Sequence, residues 1–157
     1  AADATKSDAE VLSVLAALCS QLPSLGITAF CAAVRPHTTD SYARILPRLR
    51  AAIGGGVAPR PAASILGVHL DGPFCSSKHA PEGHPSQLVR ESLRDSTDAL
   101  RDVYSEVPSL EGGVALLTLA PELPGATEAI EELNARGVKV GLGRTAARLH
   151  ECTLAVH

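Results

Sequence analysis

Ile65-Leu66-Gly67-Val68-His69-Leu70-Asp71-Gly72-Pro73-Phe74 is an apolar run that ends in two chemically able side chains and then in chain-breaking residues. Residues 65–70 have the length and apolar content of a strand buried on both faces, as in a parallel sheet, and Gly72-Pro73 halts the pairing. The polar pair therefore lies at the strand's carboxyl end. Side chains alternate across a strand, so His69 and Asp71 point to one side, at the end where parallel α/β folds bind ligands. An imidazole and a carboxylate on one face can bind a metal or move a proton.

The same strand–loop–helix sentence recurs on both sides of this run. Upstream, Ser7 and Glu10 fit a capping box, and Val11, Leu15, Leu18, Cys19 and Leu22 recur at helical spacing, so a helix is expected over 8–21. A short strand over 27–34 follows, then a helix over 40–52 that Pro47 should kink or shorten. Gly54-Gly55-Gly56 leads by a flexible connection into the strand at 65. Downstream come a long polar loop over 75–85, of the kind that carries function, and a helix over 86–107 with a break near Ser96-Thr97. Val114 to Ala120 reads as a second buried strand, 126–135 as a helix closed by Gly137, and 138–143 as a strand; a last helix starts near Ala146.

About four βα units predict parallel strands joined by right-handed helical crossovers. Two architectures fit: part of a (β/α)8 TIM-type barrel, or an open doubly wound α/β sheet. A whole barrel takes about 250 residues, so 1–157 reads as a single partial barrel domain. Neither a Gly-x-Gly-x-x-Gly opening a helix nor a P-loop occurs, which counts against nucleotide binding.

Hydrophobic residues make up 45% and charged ones 20%, a globular rather than a disordered composition. With 14 basic and 17 acidic residues, no dense basic cluster and few aromatics, nucleic acid is not an expected partner. No apolar run reaches the roughly 20 residues that cross a bilayer, and no secretory signal is visible, so the expected location is the cytoplasm, away from membranes. Cys19, Cys31, Cys75 and Cys152 form no close pair and read as reduced thiols. The absence of methionine, even at position 1, leads us to expect that the chain begins inside a longer protein.

Four blocks carry a resemblance: His69-Leu70-Asp71-Gly72-Pro73-Phe74, Gly83-His84-Pro85, Thr118-Leu119-Ala120-Pro121-Glu122 and Gly141-Leu142-Gly143-Arg144-Thr145. In order and spacing they resemble the middle of the N-acetylglucosamine-6-phosphate deacetylase family of the amidohydrolase superfamily. Gly26 to Cys31 is similar to an earlier barrel strand of that family. The resemblance implies a metal-dependent (β/α)8 hydrolase of amino-sugar metabolism that releases acetate from N-acetylglucosamine 6-phosphate. It also implies a divalent metal of the zinc or iron type and a homo-oligomer when full length. A bound cation polarises the amide carbonyl and lowers the pKa of its water.

Carried over residue by residue, the resemblance gives Gly83 and His84 as sugar contacts and Asp71 as the metal ligand, at a position where the family has glutamate. His69 is a possible supporting residue. Arg144 stands where the family places a metal histidine, and a guanidinium has no lone pair to donate. The family's other metal ligands and its catalytic aspartate fall outside this chain, so no catalytic residue is assigned within it. The double departure predicts that Arg144 pairs with Asp71, and it opens the alternative of an inactive relative that keeps the fold or the sugar-phosphate pocket. Other readings stay open for single residues. Asp71 would otherwise cap the turn at Gly72, His69 would hydrogen-bond inside the barrel, and His84 and Glu122 would be solvated. His37, His79, His150 and His157 read as surface or loop residues, and Glu128, Glu131 and Glu132 as a wet helix face.

Overall fold

The computed structural model describes residues 8–54, 57–79 and 86–156. Its elements follow as α1 Asp8–Gln21, β1 Ala29–Val34, α2 Thr39–Ala52, β2 Ser64–Asp71, α3 Ser96–Tyr104, β3 Val114–Leu119, α4 Ala126–Ala135, β4 Lys139–Leu142 and α5 Leu149–Leu154. The four strands are all parallel and lie in the order β1-β2-β3-β4. Consecutive helices touch in the same order, α1 against α2, α2 against α3 and α3 against α4. All of them press on one face of the sheet, where Val34, Val68, Leu70, Leu117 and Leu119 join Leu49, Leu100, Ile130 and Leu133 in one core. A doubly wound sheet needs a reversal of strand order and helices on both faces. Neither occurs among the described residues, and the molecule is an arc of a (β/α) barrel.

Two bulges keep the strands in phase with that core. Phe30 pairs with Ile65 but Cys31 with Gly67, so Leu66 is the extra residue of β2; Val68 pairs with Val114 but His69 with Leu116, so Ala115 is the extra residue of β3. Each inserted residue turns away from the helix-packed core and shifts the alternation by one, which lets Ile65 and Val68, or Val114 and Leu117, all stay buried. Leu66 accordingly points away from the core and is 59% exposed. At the crossing of the bulges the strands come so close that a Cβ on Gly67 would lie 2.6 Å from the Ala115 Cβ, and only glycine fits.

The helices form for local reasons. In α1 the buried stripe is Val11, Leu15 and Cys19, one residue every turn, while Leu18 is half exposed. Thr38 caps α2 by accepting the Ser41 N–H, although Ser7 of the expected capping box at α1 lies outside the described residues. Pro47 does not shorten α2. It sits on the exposed side with Ala43, whose carbonyl loses the N–H that another residue at position 47 would donate. At the end of α4, Val138 N–H reaches the Leu133 carbonyl and Gly137 N–H the Asn134 carbonyl, a Schellman closure.

The helix expected over 86–107 is the main correction. Residues 86–88 make one short 3-10 turn, and α3 begins only at Ser96. In between, Arg90 N–H bonds to the Pro73 carbonyl and Leu93 N–H to the Pro124 carbonyl, so the backbone is satisfied by the loops after β2 and β3 instead of by its own turns. Leu93 is thereby buried, and left-handed Asp95 turns the chain into α3. Glu132 also departs from a solvated helix face: it accepts from Ser96 and Thr97 and from Arg136, clipping α4 to the start of α3.

Among the described residues no strand covers the outer edge of β1 or of β4, and Leu12, Val14, Leu149 and Leu154 stand exposed. Residues 1–157 produced alone are therefore expected to oligomerise or aggregate. Size exclusion with light scattering checks this, and a monomer that melts cooperatively contradicts it.

Candidate active site at the carboxyl ends of the strands

Because the strands are parallel, their carboxyl ends share one edge, and the loops leaving that edge bring together Asp71 from β2, Glu122 after β3, and Arg144 with Thr145 after β4. Arg144 holds Asp71 with two hydrogen bonds, Nε donating to Oδ1 at 3.3 Å and Nη2 to Oδ2 at 2.8 Å. Their side chains are 38% and 17% exposed, so this is a rim pair, half sheltered. The pairing agrees with the expectation drawn from the two departures.

Arg144 has φ +58, which is unusual for a long side chain, and its surroundings impose it. Ser76 N–H donates to the Arg144 carbonyl at 2.9 Å, and Glu122 accepts both the Thr145 hydroxyl and, at 2.6 Å, the Ala146 N–H. Glu122, which the sequence leaves open between the end of a family block and a solvated acid, anchors the loop that aims Arg144. The signal for it was present: an acid just past a strand that ends Leu119-Ala120-Pro121. Replacing Glu122 by alanine is expected to cost about 1–2 kcal/mol, the range for charged hydrogen bonds discounted for partial exposure. Hydrogen exchange checks this, with faster exchange expected over 144–148 and unchanged protection in α2.

His69 lies on the inner face, as its spacing from Asp71 requires, and its Nε2 pairs with Thr118 Oγ1 at 2.8 Å. Burial holds the imidazole below its ordinary value; Asp71 opposes that effect and Arg144 adds to it. The neutral form is therefore favoured in the folded state. The unfolded chain then binds the proton more readily, so this contribution is complete above the ordinary value of about 6.5 and is lost as pH falls below it. A thermal midpoint that drops on acidification below pH ~6.5, and drops less in His69→Asn, is the expected result.

The floor of the site is a buried aromatic stack. Tyr104 is fully buried, donates its hydroxyl to the Gly72 carbonyl at 2.9 Å, and meets Tyr42 and Phe74 edge to face. It fixes the turn that follows Asp71. Nothing in the sequence marked Tyr104, 32 residues downstream. Cys75 is also buried here; burial pushes its thiol up, with Arg144 opposing, so it stays protonated. All four cysteines are free.

Gly83 and His84, the expected sugar contacts, lie outside the described residues, as does His157. His79 and His150 are exposed, while His37 is half-buried against the Tyr42 ring. A divalent metal does not fit the residues that are described. Both oxygens of Asp71 are engaged by Arg144, the Nε2 of His69 is engaged by Thr118, and among the described residues no three His, Cys, Asp or Glu side chains converge. Among the described residues, too, no helix is long and apolar enough to cross a membrane.

No family model matches the chain. Individual proteins do. It is 34% identical over 154 residues to the N-acetylglucosamine-6-phosphate deacetylase of Mus musculus, covering 98% of this chain and 36% of that protein. It is 35% identical over 150 residues to the enzyme of that name from Caenorhabditis elegans, covering 95% and 34%. A solved structure of a mutant N-acetyl-D-glucosamine-6-phosphate deacetylase from Mycobacterium smegmatis, in complex with N-acetyl-D-glucosamine-6-phosphate, superimposes with a TM-score of 0.67 at 25% identity, over 95% of this chain and 34% of that one. The chain thus spans about a third of the length of the relatives it matches. Along nearly its whole length, in sequence and in fold, the chain is similar to the N-acetylglucosamine-6-phosphate deacetylases.

Proposed function

We propose that the protein containing this chain hydrolyses the acetamide of N-acetylglucosamine 6-phosphate. Water adds at the amide carbonyl carbon, the C–N bond breaks, and acetate and glucosamine 6-phosphate leave. The observation that carries the reading is the similarity of 98% of the chain to a deacetylase, supported by a structural neighbour that holds the sugar phosphate. In this reading the chain supplies one wall of the site. Gly83 and His84 contact the sugar from the loop after β2, Arg144 presents a fixed positive charge, and neutral His69 shapes the inner face beside Asp71. The group that activates water is not assigned to this chain, and no step is routed through a metal held by Asp71. A homo-oligomer in the cytoplasm belongs to the same proposal.

A second reading is favoured by the Asp71–Arg144 pair: a relative that binds the sugar phosphate without cleaving it. Acetate release from N-acetylglucosamine 6-phosphate by the full-length protein separates the two. Turnover above the uncatalysed rate supports hydrolysis, and saturable binding without acetate supports the binding protein.

A further inference from the structure

We propose that the Asp71–Arg144 pair is a protein-borne substitute for a cation, so that this mouth takes an oxygen-rich ligand through the Arg144 guanidinium and without a metal on Asp71. The identity of the ligand rests on the proposed function; the statement about the metal does not.

Three observations carry it. The pair is bidentate, with Nε and Nη2 each engaging one of the two carboxylate oxygens, so a cation could not take Asp71 in a bidentate mode without displacing Arg144. The loop is built to keep it so: Arg144 adopts a left-handed conformation, its carbonyl is tied to Ser76 N–H, and the two residues after it are tied to Glu122. With the backbone on both sides of it fixed, the Arg144 side chain starts from one place and its fork lies on Asp71. Finally, the guanidinium is not used up. Among the described residues its Nη1 makes no hydrogen bond, and the side chain is 38% exposed, so this edge can donate to an oxygen that arrives from solvent. Asp71 then serves as the anchor that orients the cationic group, the role that second partners play for ligating histidines in metal sites.

A metal ion at the same place would have to displace Arg144. It would find one carboxylate and at most the Nδ1 of His69, whose Nε2 is on Thr118, with no third ligand among the described residues. A permanent positive charge beside it adds repulsion.

The test uses the full-length protein, purified with zinc and iron in the medium, as wild type, Asp71→Asn and Arg144→Ala, each checked for folding by circular dichroism. Metal content is measured by mass spectrometry, and calorimetry follows binding of N-acetylglucosamine 6-phosphate with and without EDTA. We expect equal metal content in wild type and Asp71→Asn, binding unaltered by EDTA, and binding at least ten-fold weaker in Arg144→Ala. Three results overturn the proposal: a metal equivalent present in wild type and missing from Asp71→Asn, binding abolished by EDTA, or full affinity in Arg144→Ala. Should Arg144→Ala not fold, Arg144→Lys takes its place; it keeps the charge but loses the fork, so weaker binding is again expected and unchanged binding again overturns the proposal. Acetate release is read separately. If the metal and binding results stand and no acetate appears, the deacetylase reading fails and this inference survives.

Discussion

Replacing Gly125 by alanine is expected to cost the fold about 2–5 kcal/mol. The residue sits at φ +82 just ahead of α4, and a Cβ there would lie 2.3 Å from the Leu93 carbonyl oxygen and 2.7 Å from Arg94 N. The left-handed conformation alone costs an L-residue about 1–2 kcal/mol, and forcing packed atoms apart adds about 1–3 more. The obstacle is backbone, which cannot rotate aside as a side chain would. It is also the segment whose Leu93 N–H is bonded to the Pro124 carbonyl, so relief by movement would break that bond and uncover Leu93. Gly26 is the internal control. Its φ is +78, but nothing lies within 4 Å of the added carbon, so Gly26→Ala should show the conformational cost and little else. Urea unfolding of both variants gives the comparison.

Tyr104→Ala is expected to cost more, about 3–5 kcal/mol, because it empties a fully buried aromatic site between Tyr42 and Phe74. Tyr104→Phe keeps the ring and removes only the hydroxyl, leaving the buried Gly72 carbonyl without that donor, and should cost about 1–3 kcal/mol. The two differ in a second way. Phenylalanine preserves the stack and should leave the rest of the core intact while loosening the turn after Asp71. The readout is hydrogen exchange confined to 71–76 in Tyr104→Phe and spread through α2 and α3 in Tyr104→Ala. Equal stability of wild type and Tyr104→Phe would show that the Gly72 bond is not worth what its burial implies.

Much of the fold was legible in residue patterns, for physical reasons that differ by element. Helices α1 and α4 occupy the ranges their spacing dictates, since a stripe of apolar residues with a defined stop leaves little choice. The bulges at Leu66 and Ala115 were invisible because both lie in continuous apolar runs, where a slip of one residue leaves no trace in the pattern. Residues 89–95 were misread as helix because Leu88 and Leu93 look periodic; their backbone partners, Pro73 and Pro124, are distant in sequence and outcompete local turns. Strand order distinguished the barrel arc from the doubly wound sheet, and no local pattern encodes that order.

The site was half legible. Asp71 and Arg144 are 73 residues apart, yet both follow parallel strands, and parallel strands deliver their ends to one place. The roles of Glu122 and Tyr104 depend on loop geometry and on what packs beneath the turn, which residue types alone do not reveal. Glu122 resembles any exposed acid until the Thr145 hydroxyl and the Ala146 N–H are seen to converge on it.

We propose that the carboxyl ends of β2, β3 and β4 form one wall of a sugar-phosphate site ordered by the Asp71–Arg144 pair. The most direct measurement is a crystal structure of the full-length protein soaked with N-acetylglucosamine 6-phosphate. The expected result is the sugar phosphate at this mouth, within hydrogen-bond distance of Arg144, with Arg144 still on Asp71. A ligand bound elsewhere, or a cation on Asp71 with Arg144 turned away, would contradict it.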